Sequence, residues 1–390
     1  MGILQGFSFT IFFTLVAIPL GWVVDRTVRR NLMVVGIALW SLMTICCGLS
    51  STYTELLLAR IGVGVGEATL IPASVSMLPD YFPPHQRGRA FGVLSVAAIV
   101  GTSGSYFVGG MILRALSGLP LVHFPLLGDL AVWQATFVIV GLPGLVMAVL
   151  LMTVREPKRL GEPQTAETAS TKSFVTYVKG HPKAFICVWG AYTMTTYVAY
   201  CLISWVPQML ERKFGLGPGV PGTMIGIPSS IMGLIACLLT GYLGDRMTLS
   251  GKRGGRFRVT TVWAFGMIPA LLLTTFGTSP AMAVVGYVLG TFFNSITFGS
   301  AYAVTQEIVP PRMRGRAIAA WYIFNSLLAN GLGPITPALA TEKILGGPEM
   351  LPYGILLAAA PAVLLGFIFP WAGMGPFEKA RADAAATTSK

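Results

Sequence analysis

Residues 21–30 read GWVVDRTVRR. Within ten residues an apolar helix end gives way to Asp25, Arg26, Arg29 and Arg30, and the chain turns apolar again at Leu32. The runs on either side, 2–24 and 32–51, each have the roughly 20 apolar residues that a membrane crossing needs. The corner between them is too short to spread its charges. Asp25 can pair with a neighbouring arginine or face a helix N-terminus, where an anion gains about 0.3–1 kcal/mol. Gly21 lets an adjacent helix backbone come close. The first run is not a secretory signal, because it has no basic start and is too long for the apolar part of one.

Outward from this corner the same alternation repeats. Further spans are expected near 55–79, 90–114, 131–154, 184–210, 220–243, 258–277, 281–306, 317–341 and 350–374, eleven in all. The composition agrees: 54% of the 390 residues are hydrophobic and 11% are charged. A soluble domain is about a quarter charged, so this chain could not cover a water-facing surface. The net charge of +12 is a topology signal rather than a nucleic-acid footprint. Of the 27 Lys and Arg, 22 fall in one set of loops, and only Arg114, Arg212, Lys213 and Lys343 fall in the other, with Arg60 inside a span. The positive-inside rule makes the basic set cytoplasmic, together with the C-terminus. The chain divides as residues 1–154 (five spans), a cytoplasmic linker at 155–183, residues 184–376 (six spans) and a disordered tail at 377–390. Within the linker, SFVTYVK at 173–179 could form a short interfacial helix.

The two halves repeat one another. PPHQRGRA at 83–90 matches PPRMRGRA at 310–317, and GWVVDR at 21–26 matches GYLGDR at 241–246. At the first offset Asp80 falls on Glu307 and Glu67 on Asn294. Secondary transporters are built from such repeats, with the site near mid-membrane. With these residues in view, the loop GWVVDRTVRR resembles the G-x-x-x-D-R-x-x-R-R signature of the major facilitator superfamily, which joins that family's second and third helices. ARIGVGVGEATLIPA at 59–73 and REPKR at 155–159 resemble its fourth-helix and sixth-helix segments. GVGVGEA and DYFPPHQRGRA most resemble the bacterial spinster-like branch; the anion:cation symporter branch also carries GEA followed by Pro-Ala. On this count the chain starts at the family's second helix, through a misassigned start or a true truncation. The branch's first-helix Asp-Arg pair, implicated in proton coupling, has no counterpart among these residues.

The resemblance implies an all-α polytopic membrane protein with two helical bundles. It also implies that Gly21, Asp25, Arg26, Arg29 and Arg30 latch a cytoplasmic gate, with Asp80 and Glu156 as acidic partners and Asp245 and Arg246 as a second copy. A plain topology-setting loop is the alternative. Arg60 and Glu67 stand seven residues apart on one helix face, about 10.5 Å along the axis. An ionised group at that depth costs several kcal/mol unless paired or hydrated, and a carboxyl group there can take up a proton near neutrality. By resemblance Glu67 is a proton or substrate site and Arg60 sets its charge or holds an anionic head; otherwise the two belong to a structural ion pair. In the second half Tyr192, Thr196, Tyr197, Tyr200 and Trp205 share one span. Asn294, Ser295 and Thr297 share another, and Trp321, Tyr322, Asn325 and Asn330 a third. Such groups face a cavity or a neighbouring helix, and about half are expected to be packing bonds. Tyr192, Tyr197, Tyr200, Asn294, Trp321 and Asn325 are the cavity candidates.

Other chemistries find little support. Gly62, Gly64 and Gly66 lack a preceding strand and a GKS/T ending, so close helix packing explains them. The five cysteines lie in apolar runs with no CxxC, and His85, His123 and His181 lie apart at loops or helix ends. Neither a metal nor a cofactor is implied. No GxSxG or HExxH occurs, so an intramembrane enzyme is not indicated, and GTSGSYFVGG at 101–110 lacks the Gly-Pro pair of drug antiporters. The expected function is secondary transport of an organic solute through alternating access, with H⁺ as coupling ion. The solute is lipid-like by the spinster resemblance and a small organic anion by the symporter one. A non-transporting or truncated sensor is the remaining class. The partners are the bilayer, the solute and H⁺, without nucleic acid. The protein is expected to act as a monomer in a bacterial inner membrane.

Overall fold

The computed structural model describes residues 16, 23–24, 26–158, 171–249, 254 and 257–386. It is helical apart from one short hairpin, Val122–Phe124 with Gly128–Leu130, antiparallel, between the fourth and fifth helices. Helices α1 (Arg29–Leu49), α2 (Tyr53–Glu67), α3 (Leu70–Tyr81), α4 (Pro84–Leu116) and α5 (Val132–Met152) precede the linker. After it come α6 (Thr171–Gly180), α7 (Pro182–Phe214), α8 (Val220–Leu249), α9 (Val259–Phe276) and α10 (Pro280–Glu307). The chain ends with α11 (Arg314–Asn325), a π-helix at Ser326–Gly331, α12 (Ile335–Leu339), a second π-helix at Ala340–Ile344 and α13 (Leu351–Ala386). Among the described residues, nine helical segments are long and apolar enough to cross a membrane. The first expected span lies almost wholly outside the described residues, and the one expected at 317–341 is a series of short segments. Two prolines account for that interruption: Pro334 and Pro337 have no N–H to offer the carbonyls of Asn330 and Gly333.

The chain forms two compact units, Ile3–Gln164 with Leu216–Gly226, and Thr165–Gly215 with Ile227–Lys390. In the first, α1 packs between α2 and α5 through glycine. A Cβ on Gly66 would stand 2.7 Å from the Gly36 carbonyl oxygen and 2.7 Å from the Trp40 amide nitrogen, so α1 and α2 touch backbone to backbone. On the other side, a Cβ on Gly144 would stand 2.0 Å from the Ser41 hydroxyl, and one on Gly48 would stand 2.5 Å from the Gln134 carbonyl. The glycines of GVGVGE thus act as packing residues; Gly62, for instance, lies against Met43.

In the second unit, α7 packs on α13, and α9 on α10 and α13. Its core gathers Phe185, Tyr192, Phe257, Ile308, Trp321 and Phe377. Helix α6 docks onto this core with Phe174, while the Tyr177 hydroxyl donates to the carbonyls of Ile308 at 3.1 Å and Ala380 at 3.3 Å. The segment 377–386 differs from the expected disordered tail. It continues α13, because Phe377, Ala380 and Ala384 form a stripe with helical spacing and are all buried.

The glycine contacts give a paired test. Gly66→Ala should lower the melting temperature of the purified protein by an overpacking cost of about 1–3 kcal/mol, since backbone atoms of α1 must move. Gly101→Ala, where nothing lies within 4 Å of the added Cβ, should leave the melting temperature unchanged or raise it slightly.

Candidate functional site

The first unit settles its corner charges on Arg29, whose side chain is nearly sealed from solvent. Its Nε donates to Glu156 Oε1 at 2.7 Å, Nη1 donates to the Ser76 carbonyl at 3.0 Å and to Asp80, and Nη2 donates to the Pro157 carbonyl at 3.1 Å. Arg30 uses its backbone N–H on Glu156 Oε2 at 2.8 Å, and its Nη1 reaches the Val154 carbonyl at 3.4 Å. The start of α1, the end of α3 and the strand of chain after α5 are therefore joined at one point. Burial raises the proton affinity of Glu156, but the N–H of Arg30 and the guanidinium of Arg29 outweigh it. They hold the carboxyl below its ordinary value. Of the residues expected here, Arg29, Arg30, Asp80 and Glu156 come together. Arg26 is exposed, and Gly21 and Asp25 lie outside the described residues.

Asp245 and Arg246 fall on the last turns of α8, and their side chains lie outside what is described. At the corresponding end of the second unit, another acid caps a backbone N–H among the described residues. Glu378 Oε1 accepts the backbone N–H of Gly254 at 2.5 Å, much as Glu156 accepts that of Arg30. Arg381 stands 3.8 Å from Glu378 and 3.9 Å from Glu307. Sequence reasoning missed Glu378; the signal was FEKAR at 377–381 beside REPKR at 155–159.

Glu67 is the last residue of α2. Upstream, a capping box fixes the start of that helix: Thr52 Oγ1 accepts the Glu55 N–H at 3.2 Å, and Glu55 accepts the Thr52 N–H at 3.3 Å. Four turns later the helix breaks at Ala68 and Thr69. Pro72 has no N–H for the Ala68 carbonyl, and Thr69 Oγ1 turns back to the Gly66 carbonyl at 2.8 Å. The Glu67 side chain is exposed rather than packed in the core. Arg60 is half-buried, and its charge reaches both Glu67 and the Cys47 thiol. A carboxylate at a helix break can exchange a proton with water, and the nearby guanidinium can hold an acid group.

The second unit sorts its polar residues into two groups. Tyr192 is 1% exposed and belongs to the core. Tyr197 bonds to the Thr336 hydroxyl, and Trp205 Nε1 donates to the Pro334 carbonyl at 2.7 Å. Tyr200 packs by its Cβ against Gly333. These bonds brace α7 against the interrupted segment after α11. By contrast, among the described residues the Oδ1 atoms of Asn294, Asn325 and Asn330 and the Nε1 of Trp321 are buried without a hydrogen-bond partner. Each such group costs about 1–3 kcal/mol unless a ligand or water meets it. The π-helix matters here. Five residues apart on an α-helix, Asn325 and Asn330 would point about 140° from each other; the i to i+5 bonding of the π-turn brings such positions nearly above one another.

The chain matches the model of the Major Facilitator Superfamily over residues 1–334. It is 24% identical over 373 residues to an MFS-type efflux pump of Mycolicibacterium smegmatis, covering 95% of this chain and 83% of that protein. It is 24% identical to a D-galactonate transporter of Escherichia coli, covering 92% of this chain and 84% of the relative. Among solved structures it is similar to a bacterial homologue of the human lysosomal transporter Spinster in an inward-facing, unoccupied conformation. That likeness has a TM-score of 0.73 and 25% identity, and covers 98% of this chain and 88% of the other. These relatives are transporters, not enzymes. With its membrane-spanning helices and a family match over most of its length, the chain belongs to the Major Facilitator Superfamily.

Proposed function

We propose that the protein is a proton-coupled secondary transporter of an organic solute bearing an acid group, working by alternating access. The observation that carries this reading is the accessible Glu67 at the break between α2 and α3, with Arg60 on the same helix. Arg60 supplies a guanidinium for a carboxylate or phosphate, and Glu67 supplies a group whose charge disappears on protonation. A sugar acid carries such an acid group, and the likeness to the D-galactonate transporter supports it. An amphipathic, lipid-like solute is the second reading, favoured by the likeness to the bacterial Spinster homologue. The Arg29 cluster serves as the cytoplasmic latch. The loop charges support a bacterial inner-membrane location with a cytoplasmic C-terminus. A single chain carries both halves of the repeat and is taken to be the working unit.

Two expectations follow. In proteoliposomes, Glu67→Gln should abolish uptake of a radiolabelled sugar acid driven by a pH gradient while substrate binding persists, because Gln mimics the protonated acid. Arg60→Ala should weaken binding itself. Unchanged gradient-driven uptake by Glu67→Gln would remove the proton-site assignment, and uptake of a lysophospholipid but of no sugar acid would select the second reading.

The latch makes the other. A carboxyl held below its ordinary value of about 4.3 stabilises the fold above that pH, and the contribution disappears as pH falls through its lowered value. Glu156→Gln should therefore melt below the wild type at pH 7, and the two curves should converge once the pH falls below the lowered carboxyl value. A gap that persists in acid would mean that the ionised form is not what matters.

A further inference from the structure

At the end of the second unit where α7 stops and α13 begins, a cavity of about 610 Å³ opens. Arg212, Lys213 and Glu349 line it between apolar walls that include Met209, Leu351 and Pro352. Lys213 is held in place: its Nζ donates to the carbonyls of Thr275 at 2.7 Å and Gly277 at 2.8 Å, the open C-terminus of α9. That leaves one of its three N–H groups for a ligand. Arg212 donates once, to the Pro348 carbonyl at 3.3 Å, from a fork of five N–H groups. Among the described residues no ion pair joins Glu349 to either cation.

Further along α13 lies an apolar groove of about 220 Å³ between α9 and α13, lined by Ile268, Leu271, Leu272, Leu356, Ala360 and Leu364 among others. Ile268, Leu272 and Leu364 are exposed at 47%, 46% and 62%, so the groove opens outward from the protein, to the lipid of a membrane protein. Cavity and groove both border α13. Pro352, Leu356, Ala360 and Leu364 follow at four-residue steps, which is one face of α13. On α9, Leu271 stands one such step before Thr275, whose carbonyl holds Lys213. From Pro352 to Leu364 the furrow runs about 18 Å, which is about one leaflet's share of a hydrocarbon core roughly 30 Å thick.

We propose that this furrow binds one phospholipid of the surrounding bilayer whose head group carries both a phosphate and an ammonium, as phosphatidylethanolamine does. The phosphate lies at Arg212 and Lys213, where the guanidinium fork matches two phosphate oxygens. The ammonium lies at Glu349, and one acyl chain follows the groove between α9 and α13. The charge pattern selects the head group. A phosphatidylglycerol head answers the two cations but leaves the Glu349 carboxylate beside an anion with nothing to pair it. The leaflet is the one away from the basic loops, because α7 runs there from Lys183. The lipid at this place is a bound component of the fold, separate from the transported solute.

The test is native mass spectrometry of the delipidated full-length chain with added phosphatidylethanolamine or phosphatidylglycerol, with a thermal melt to show that each variant is folded. The wild type should retain phosphatidylethanolamine about tenfold more strongly. Glu349→Gln should abolish that preference without loss of total lipid bound. Arg212→Gln should weaken both lipids about tenfold, and Ala360→Trp, which fills the groove, should reduce both. Equal retention of the two lipids by the wild type would overturn the proposal. So would phosphatidylethanolamine binding that Ala360→Trp and Arg212→Gln leave intact, or displacement of the lipid by inorganic phosphate alone at equal concentration, which would mark a simple anion pocket.

Discussion

A guanidinium that keeps about 1% of its surface in contact with solvent must have its charge answered inside the protein, and Arg29 is in that position. Leaving such a group without a partner costs about 3–5 kcal/mol, so Asp80 and Glu156 cannot be lost singly without consequence. Because the partners come from α3 and from the chain after α5, the arginine fixes where α1 begins. The position of α1 then decides the rest of its unit. Its Gly36 can meet Gly66 only if the helix enters at the right height, and Gly66 is one residue from Glu67. The charge cluster at one end thus sets the place of the carboxylate in mid-span.

Much of this was legible in the sequence. The family resemblance makes Asp80 and Glu156 the acidic partners of the corner motif, and both meet Arg29. Apolar run length and the loop arginines located the spans, because both effects are local and additive along the chain. What escaped were effects of single residues on backbone bonding. The break after Glu67 depends on Pro72 and on the Thr69 hydroxyl, neither of which disturbs the apolar run. The π-turn at Ser326–Gly331 and the short segments that follow it lie within a stretch that reads as one uniform span. Tyr192 and Tyr197 are polar enough to suggest a cavity, yet core packing and a bond to Thr336 account for them. Whether a buried polar group meets a partner is a tertiary fact, which spacing along one helix does not contain. Phe377, Ala380 and Ala384 escaped for the opposite reason. Their helical stripe is too short to stand out against a polar tail, and it folds because a core is there to receive it.

Each unit uses a carboxylate to accept a backbone N–H at this corner. In the first, a carboxylate that caps a backbone N–H is also locked by a sealed arginine. In the second, Glu378 caps Gly254, but its arginine, Arg381, is 45% exposed and 3.8 Å away. An exposed pair of that kind contributes about 0–1 kcal/mol.

Helix α13 is about 54 Å long and runs from the cavity at Arg212 to Glu378 and Arg381 at the opposite end. Three prolines inside it, Pro361, Pro370 and Pro376, deprive the carbonyls of Leu357, Gly366 and Ala372 of their usual donors. It is consequently a jointed rod rather than a stiff one. The upper portion, from Leu351 to the first joint, can stay moored while the portions below pivot. Bending compliance is thus concentrated at three addresses along the longest helix among the described residues.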